Sequence, residues 1–341
     1  MKKKTLLWIL IPLILAVLTA CSLPGTSEEI PTEPTETQPP VKQGLLEEGG
    51  SLYFYEDGTP FTGGLKELTV DGAAKFYFFQ EDGKAFTGGL KEVNAVHYFF
   101  QNDGSALTDS WQTVNDATWY FGANGQAVKD GFQTIDGSLY YFQDYTVTTG
   151  GWFCVEDGYY YADEKGVLAT DTVVEGYKLD ATGKSTTKYR IIQYVNEYTD
   201  DSMTEQEKID ALYNWVLTND MGYIRSYEHV TSNWVWADSW VDDMAANQMD
   251  EWGGNCYRYA AFLGMLLREA TGLPVTVYYG QTPGLNVDLT YHGWPAICQE
   301  DIWYIYDVEL DKYTEYDSSG CYKVPASEST LHLQGVGTNL Y

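Results

Sequence analysis

Three residues with the chemistry of a thiol enzyme occur in order in the last third of the chain. Cys256 follows Gly253-Gly254-Asn255 and opens an apolar segment with helical spacing. A helix N-terminus favours an anion, so a thiolate forms more easily there. His292 follows 36 residues later and Asp307 another 15 residues later, each on a predicted strand. Because a thiol nucleophile needs a base and the base needs an orienting group, the pattern predicts a Cys256–His292–Asp307 triad.

The segments around these residues resemble the transglutaminase-like superfamily, whose fold is related to papain. The family pattern is a Gly-rich turn and a Cys that opens a helix, then His-Ala-Trp on a strand, then Trp and Asp on the next strand. This chain has Tyr291-His292-Gly293-Trp294 and then Trp303-Tyr-Ile-Tyr-Asp307. The segment Tyr213-Asn214-Trp215-Val216 and the later Tyr223 also resemble the family's upstream helix. The resemblance covers residues 187–341 and implies an α+β domain.

The resemblance assigns a role to each triad residue. It implies that Cys256 is the nucleophile, that His292 is the base and acid, and that Asp307 orients His292. Two positions depart from the family pattern without removing a reacting group: Gly293 replaces Ala, and Pro295 follows the Trp. Because proline lacks a backbone donor, we expect Pro295 at an edge or a bulge of the sheet.

An oxyanion hole completes a site of this kind. The backbone N–H of Cys256 is the first expected donor. Trp215, Trp252 and Trp294 are the candidates for the rest of the oxyanion and substrate site. Attack by water on the acyl-enzyme gives a peptidase or amidase and attack by an amine gives a cross-linker; we favour hydrolysis, with a protein or peptide substrate.

Each triad residue also has an ordinary structural explanation. A free Cys is commonly a small buried hydrophobe, and a lone His on a strand is more often structural. The order of the three, with Gly before and Trp beside them, favours catalysis. The alternative is a non-catalytic wall-binding or peptide-binding lipoprotein with a degenerate domain of the same fold.

Capping and periodicity signals predict the elements that carry these residues. Thr204 with Glu207 forms a capping box before one amphipathic helix, and Gly272 ends the helix that Cys256 opens. Strands are predicted at 275–279, 292–297 and 302–307.

A repeat with a period near 20 residues fills the region before this domain. Four copies end at Gly58, Gly83, Gly104 and Gly125, which are 25, 21 and 21 residues apart, and weaker copies follow at 140–144, 160–166 and 177–183. We interpret each copy as an aromatic strand, an Asp-Gly or Asn-Gly turn and a second strand, which is a β-hairpin. Since one hairpin is marginal alone, residues 45–186 are predicted to form an all-β solenoid of stacked hairpins.

These repeats resemble the cell-wall-binding repeats, of choline-binding or glucan-binding type, of Gram-positive surface proteins. The resemblance implies aromatic cages for choline or aromatic faces for sugars. The candidates for binding a wall polymer or surface glycan are Trp111, Trp119, Tyr120, Tyr140 and Trp152. Phe at many cage positions weakens the choline interpretation, because Trp is the best partner for a cation. Two alternatives remain: the aromatic residues form only the core of the array, or the array is a spacer.

The N-terminus predicts export. Residues 1–20 have three lysines and then a mostly apolar stretch, and Leu18-Thr19-Ala20-Cys21 resembles a bacterial lipobox. We expect lipidation of Cys21, a Pro/Thr/Glu-rich tether over 21–44 and a position on the outer face of the membrane, with the lipid as the only membrane contact. The alternative is an uncleaved anchor helix.

Composition excludes several classes of function. The 341 residues carry a net charge of -29, which excludes a nucleic-acid partner because phosphate recognition needs a basic surface. No Cys/His cluster has zinc-ligand spacing and no phosphate loop occurs, so we expect no cofactor or metal. Acidic pairs such as Asp242-Asp243 are interpreted as solvated surface rather than calcium ligands. The disulfide state of Cys154, Cys298 and Cys321 stays open.

Overall fold

A computed structural model describes residues 40–225, 237–283, 289–314 and 318–340. The predicted signal peptide, Cys21 and most of the tether lie outside these residues. The chain divides into two compact units, one ending at Phe61 and the other running from Thr62 to the end of the chain. The domain boundaries at 20/21, 44/45 and 186/187 stay predictions. Among the described residues, no helix combines the length and the apolarity that crossing a membrane requires.

The described part of the first unit is one antiparallel sheet of three strands. The strands are β1 (Gly44–Glu48), β2 (Ser51–Glu56) and β3 (Thr59–Pro60), paired in that order. Tyr55 is its buried ring, and the hydroxyl of Tyr55 donates a hydrogen bond to Glu48.

The second unit begins with an array of antiparallel hairpins. Its strands are β4 (Gly64–Val70), β5 (Ala73–Phe79), β6 (Gly89–Val93), β7 (Val96–Phe100), β8 (Ser110–Val114), β9 (Ala117–Phe121), β10 (Gly131–Ile135), β11 (Ser138–Gln143), β12 (Thr146–Val147), β13 (Gly151–Val155), β14 (Gly158–Ala162), β15 (Thr172–Val174) and β16 (Tyr177–Leu179). Phe79, Phe100 and Phe121 end three successive aromatic strands, and Phe142 is the penultimate residue of the fourth; all four are fully buried. The predicted hairpin-repeat fold of this region is therefore confirmed.

The predicted phase of the hairpins is right at two copies, where β2 pairs with β3 and β11 pairs with β12 across the turn after the aromatic strand. It is wrong at the other copies. There the aromatic segment is the second strand of its hairpin, as β6 paired with β7 shows, and the turn after it leads to one bridge, such as Phe100 to Ala106. The physical reason is the backbone of the turns. Asn94 and Ala95 both have positive φ, of 51° and 62°, which gives the two-residue turn that suits twisted antiparallel strands. After the aromatic strand, only Gly104 has positive φ.

A mixed helix and sheet region follows. Its elements are α1 (Thr186–Tyr198), α2 (Glu205–Thr218), β17 (Gly222–Tyr223), α3 (Trp240–Glu251), β18 (Gly253–Gly254), α4 (Cys256–Thr271), β19 (Val275–Thr282), β20 (Thr290–Gln299), β21 (Ile302–Ile305), α5 (Val308–Tyr313), a 3-10 turn (Ser318–Gly320), β22 (Val324–Pro325) and β23 (Leu333–Leu340). Five strands form an antiparallel sheet in the order β22-β21-β20-β19-β23.

Helix α4 lies in the core between this sheet and the other helices. Nearly all its residues are buried, and Gly264 lies so close to β19 that a Cβ there would come within 2.6 Å of the Val277 side chain. The capping box of α2 is present, and α4 ends at Gly272 with φ of 70°, as the sequence predicts. The first turn of α4 packs against β20, where a Cβ at Gly293 would come within 2.7 Å of the Tyr257 side chain.

Two expectations about the strands are wrong. Asp307 does not end a strand but caps α5, because its carboxylate accepts the Leu310 N–H. Pro295 lies on β20, which is the central strand, rather than at an edge or a bulge. Proline is tolerated there because its nitrogen and carbonyl face Tyr306, one residue beyond the end of β21, and the carbonyl still accepts the Tyr306 N–H.

Candidate functional site

Three aromatic rings from two successive hairpins meet at a site that we call the open corner. Trp111 lies opposite Tyr120 in the β8–β9 pair, and Tyr140 comes from β11 of the next hairpin. The ring centroids of Tyr120 and Tyr140 lie 5.0 and 4.9 Å from that of Trp111, tilted by 58° and 57°. Burial raises the pKa of Tyr120, and the carboxylates of Asp109 and Asp136 raise it further. The corner therefore combines electron-rich faces with nearby negative charge, which suits a cation.

The next hairpin repeats this arrangement. Phe132 lies opposite Tyr141, and Tyr160 follows from β14; the two Tyr centroids lie 4.8 and 4.7 Å from that of Phe132. Phe132 is exposed. This second corner has the same shape as the open corner with a poorer ring for a cation.

A third corner, which we call the closed corner, is filled by the protein itself. Trp152 lies opposite Tyr161, and Tyr177 comes from β16. The ammonium of Lys188 on α1 lies 4.7 Å from the Trp152 centroid and 4.4 Å from the Tyr177 centroid. Lys188 is only 4% exposed, and its ammonium is 2.6 Å from the Glu269 carboxylate. The first helix of the following region thus supplies an internal cation to this corner.

The remaining candidate of the array, Trp119, lies apart from these three corners. Its ring stacks on Tyr145 at 4.6 Å, with His97 against the edge of the pair. One face of Trp119 is therefore covered by another ring of the array.

The sequence-predicted triad residues come together in the following region. Asn255 caps α4 by accepting the N–H groups of Tyr257 and Arg258, which fixes Cys256 at the first helical position. The Cys256 side chain is within hydrogen-bonding reach of His292. On the other side of that ring, His292 Nε2 lies 2.5 Å from Asp307 Oδ2. The order of groups is therefore thiol, imidazole and carboxylate.

The electrostatics of the three groups favour charge on His292. Burial lowers the pKa of His292, but the charge and hydrogen bond of Asp307, with Cys256, raise it well above its usual value. Burial alone raises the pKa of Asp307, and the two histidines beside it lower the pKa below its usual value. Asp307 is therefore an acceptor, and His292 Nε2 donates to it. The arrangement stabilises an imidazolium next to the thiol.

A second histidine that the sequence analysis did not select also touches Asp307. His332 Nε2 lies 2.9 Å from the same Oδ2, and its Nδ1 lies 2.7 Å from the Ser329 hydroxyl. Its side chain has no exposed surface. The only local sequence signal is Ser329 three residues before His332, which does not reveal the contact with Asp307.

A second acid, Glu309, was also missed. Its carboxylate lies 3.8 Å from His292 Nδ1 and its side chain is 9% exposed. Burial and Asp307 raise the pKa of Glu309 to about 7, while His292 opposes that shift. The sequence signal is its place in the first turn of α5, two residues after Asp307.

One group of side chains in the described residues has a ligand set for a metal: His292, Asp307 and His332, with one ligand atom each within 4.8 Å of the others. Tetrahedral zinc with bonds of about 2.0–2.1 Å needs its ligand atoms about 3.3 Å apart. Both histidine nitrogens lie closer than that to Asp307, at 2.5 and 2.9 Å. These distances fit shared protons rather than a metal ion.

The three tryptophan candidates lie in different surroundings, and only Trp294 lies beside the histidines. Trp294 stacks near His292 at 6.1 Å and lies edge-on to His332 at 5.0 Å. Trp215 stacks instead on Tyr198. Trp252 donates its indole N–H to Asp220, so that donor is not directed at the thiol.

Of the described hydrogen bonds, none uses the Cys256 N–H, which leaves the first expected oxyanion donor available. The other described cysteines, Cys154, Cys298 and Cys321, are free thiols.

Family comparisons identify the class of the repeats. Residues 107–146 match the choline-binding repeat, and residues 150–168 match a putative cell wall binding repeat. The array therefore contains choline-binding-type cell-wall repeats, and the first match spans the whole open corner. Neither match extends into residues 187–341. No curated protein matches the chain.

Solved structures of similar proteins cover less than half of this chain. CbpJ from Streptococcus pneumoniae TIGR4 is 23% identical over 42% of this chain and 48% of that chain, with a TM-score of 0.34. Choline binding protein F from Streptococcus pneumoniae, in the presence of a peptidoglycan analogue, is 28% identical over 42% and 46%, with a TM-score of 0.35. The multimodular pneumococcal cell wall endolysin from phage Cp-1, complexed with choline, is 23% identical over 38% and 39%, with a TM-score of 0.28. The chain thus spans less than half the length of each of these proteins.

Proposed function

We propose that this protein binds choline-bearing or other ammonium-bearing cell-wall polymer through its repeat array at the bacterial surface, with a lipid on Cys21 as its membrane anchor. The observation that carries the proposal is the open corner of Trp111, Tyr120 and Tyr140, inside the matched choline-binding repeat. Trp111 is tilted against both tyrosine rings, and electron-rich rings gathered in this way attract a quaternary ammonium group.

The binding test uses the full chain on a choline-substituted resin. We expect retention of the wild type and elution by free choline, and loss of retention for Tyr140→Ala. Tyr145→Ala, which removes a ring outside the three corners, serves as the matched control and is expected to stay bound. Retention that free choline does not reverse, but that a choline-free wall glycan does, would replace the ammonium ligand with a sugar.

A second candidate function, thiol chemistry on amide bonds, rests on the contacts of His292 with Cys256 and Asp307. The Cys256 thiolate attacks the amide carbonyl, and its backbone N–H is placed to donate to the oxyanion. His292 then protonates the departing amine, which leaves an acyl-enzyme. Water attacks the acyl group while His292 accepts its proton, and the thiolate is released. We favour hydrolysis, and an amine in place of water gives transfer of the acyl group.

The matched families describe binding repeats, so they support the binding function more directly than the enzymatic one. The competing proposal is accordingly a wall-binding protein whose second region holds a peptide without reacting. The intact set of thiol, imidazole and carboxylate argues for chemistry.

Alkylation of the native full chain separates these two proposals. We expect a limiting amount of iodoacetamide at neutral pH to label Cys256 before Cys298, with labelling read by peptide mass mapping. Cys256→Ala is expected to abolish turnover of a peptide and peptidoglycan library, whereas Cys298→Ser keeps it. Labelling that spares Cys256 would contradict the enzymatic proposal and leave the binding proposal standing.

A further inference from the structure

Glu309 is a largely buried carboxylate, with 9% of its side chain exposed. Among the described residues its oxygens take part in no hydrogen bond, and they form one ion pair, with His292 Nδ1 at 3.8 Å. Burying a charged or polar group without a partner is unfavourable. Since Asp307 already bonds to the other side of this imidazole, and His332 in turn bonds to Asp307, Glu309 is not needed to orient the ring.

An aromatic wall stands beside this carboxylate and the thiol. Tyr223 is about half exposed, and its backbone pairs with Gly254, two residues before Cys256. On the other side it meets Tyr313, which lies one helical turn after Glu309 on α5. Burial and the charges of Glu309 and Cys256 raise the pKa of Tyr223. The ring of Tyr313 meets that of Tyr223 edge-on at 5.5 Å, and its hydroxyl donates to the Met221 carbonyl, which fixes the wall. A carboxylate together with an exposed aromatic ring attracts an ammonium group.

We propose that Glu309 and Tyr223 form a subsite for a primary ammonium group of the substrate, adjacent to the amide that Cys256 attacks. This inference rests on the proposed thiol chemistry and names its substrate class: a peptide in which a lysine-type side chain or a free amino terminus lies next to the scissile bond. A primary ammonium donates N–H hydrogen bonds to the Glu309 oxygens. The Glu309 carboxylate then lies between the positive charge of the ammonium and that of the imidazolium.

Charged thiol reagents test the subsite without knowledge of the substrate. In each reaction the Cys256 thiolate attacks the sulfenyl sulfur of a methanethiosulfonate, forms a mixed disulfide and releases methanesulfinate. The full chain is treated near pH 8 with the aminoethyl reagent and with the neutral methyl reagent, and the rate at Cys256 is read by peptide mass mapping. We expect the aminoethyl reagent to react at least about five-fold faster relative to the methyl reagent.

The decisive comparison is between two variants that each remove one negative charge. Glu309→Gln is expected to abolish the aminoethyl preference, whereas Glu300→Gln, at an exposed turn, keeps it. The rate of the neutral reagent in each variant reports whether the site is intact. An equal fall in both variants would assign the preference to the overall charge and overturn the subsite.

A second measurement does not depend on a variant. Propylamine is expected to slow alkylation of Cys256 by iodoacetamide in the wild type, and propanol is not. Equal effects of the two would also overturn the subsite. If Cys256 is labelled but shows no preference for the ammonium-bearing reagent, the ammonium subsite is overturned and the proposed thiol chemistry stands. Failure of every reagent to label Cys256 defeats the proposed thiol chemistry together with it.

Discussion

The open corner and the closed corner are built from the same three positions of successive hairpins, yet only one of them carries its own cation. Trp111 and Trp152 occupy equivalent places on their first strands, each opposite a tyrosine. In the closed corner Lys188 lies over the rings and is paired with Glu269. No described lysine or arginine takes that place over Trp111. The closed corner shows that aromatic rings of this array hold a cation, and our proposal assigns an external ammonium group to the equivalent place in the open corner.

The largest expected effect is on the free energy of unfolding, when the Lys188 ammonium is removed from the closed corner. Lys188→Met leaves the Glu269 carboxylate unpaired beside apolar rings, and removing one partner of a buried pair destabilises by about 3–5 kcal/mol. Lys184→Met, which breaks an exposed pair with Asp157, is expected to lose less than about 1 kcal/mol. Urea unfolding of both variants measures the difference. Equal stabilities would show that Lys188 does not hold the corner.

Removing the central ring of the open corner has the next largest effect, on binding rather than on stability. Trp111→Ala is expected to weaken choline binding about 30-fold, since a desolvated cation–π contact contributes about 2 kcal/mol. Calorimetric titration of the full chain with choline measures this change. Unchanged affinity would move the ligand away from this corner.

The closed corner should also respond to pH through Asp242, which accepts hydrogen bonds from the Lys178 N–H and the Thr187 hydroxyl. Burial raises the pKa of Asp242 to about 6. Because the folded-state pKa is above the ordinary value of 3.8, the stabilisation is complete below about pH 4 and is lost as the pH rises through about 6.

Asp242→Asn is therefore expected to reduce the fall of the unfolding free energy between pH 4 and 7 by about 1–2 kcal/mol. Choline affinity at the open corner should be the same in both proteins over that range. A pH profile of stability identical to that of the wild type would place the titrating group elsewhere.

The smallest effect is expected at the second corner. Phe132→Trp supplies the better ring for a cation and should strengthen binding there by about 0.5–1 kcal/mol, or a few-fold. The corresponding change at a core position, Phe79→Trp, is the control. Phe79 is fully buried outside the three corners, so this substitution is expected to destabilise the protein without improving binding. Calorimetry with choline that shows no gain for Phe132→Trp would show that the second corner is not a ligand site.

Local sequence signals predicted the parts of the fold that depend on neighbouring residues. The capping box at Thr204, the αL residue Gly272 and the period of the repeats all act within a few residues of the chain. The order of the triad residues predicted that Cys256 and His292 lie close together. They do so in the structure because α4 packs against β20. Their catalytic role stays a prediction.

The missed residues depend on contacts between distant segments. His332 reaches Asp307 because it precedes β23, which returns to pair with β19 at the edge of the sheet. Lys188 reaches Trp152 because α1 packs beside the last hairpins, and no spacing in the sequence reveals which lysine fills a corner. The phase of most hairpins was wrong because two turns per repeat contain similar residues, and only the φ angles distinguish them.

The most direct test of the difference between the corners follows the two indole N–H signals by NMR during a choline titration of the full chain. Trp111→Phe and Trp152→Phe assign the signals. We predict that the Trp111 signal shifts with saturation, while the Trp152 signal, whose N–H donates to Glu175, stays in place. A shift of Trp152 with Trp111 unmoved would contradict the account.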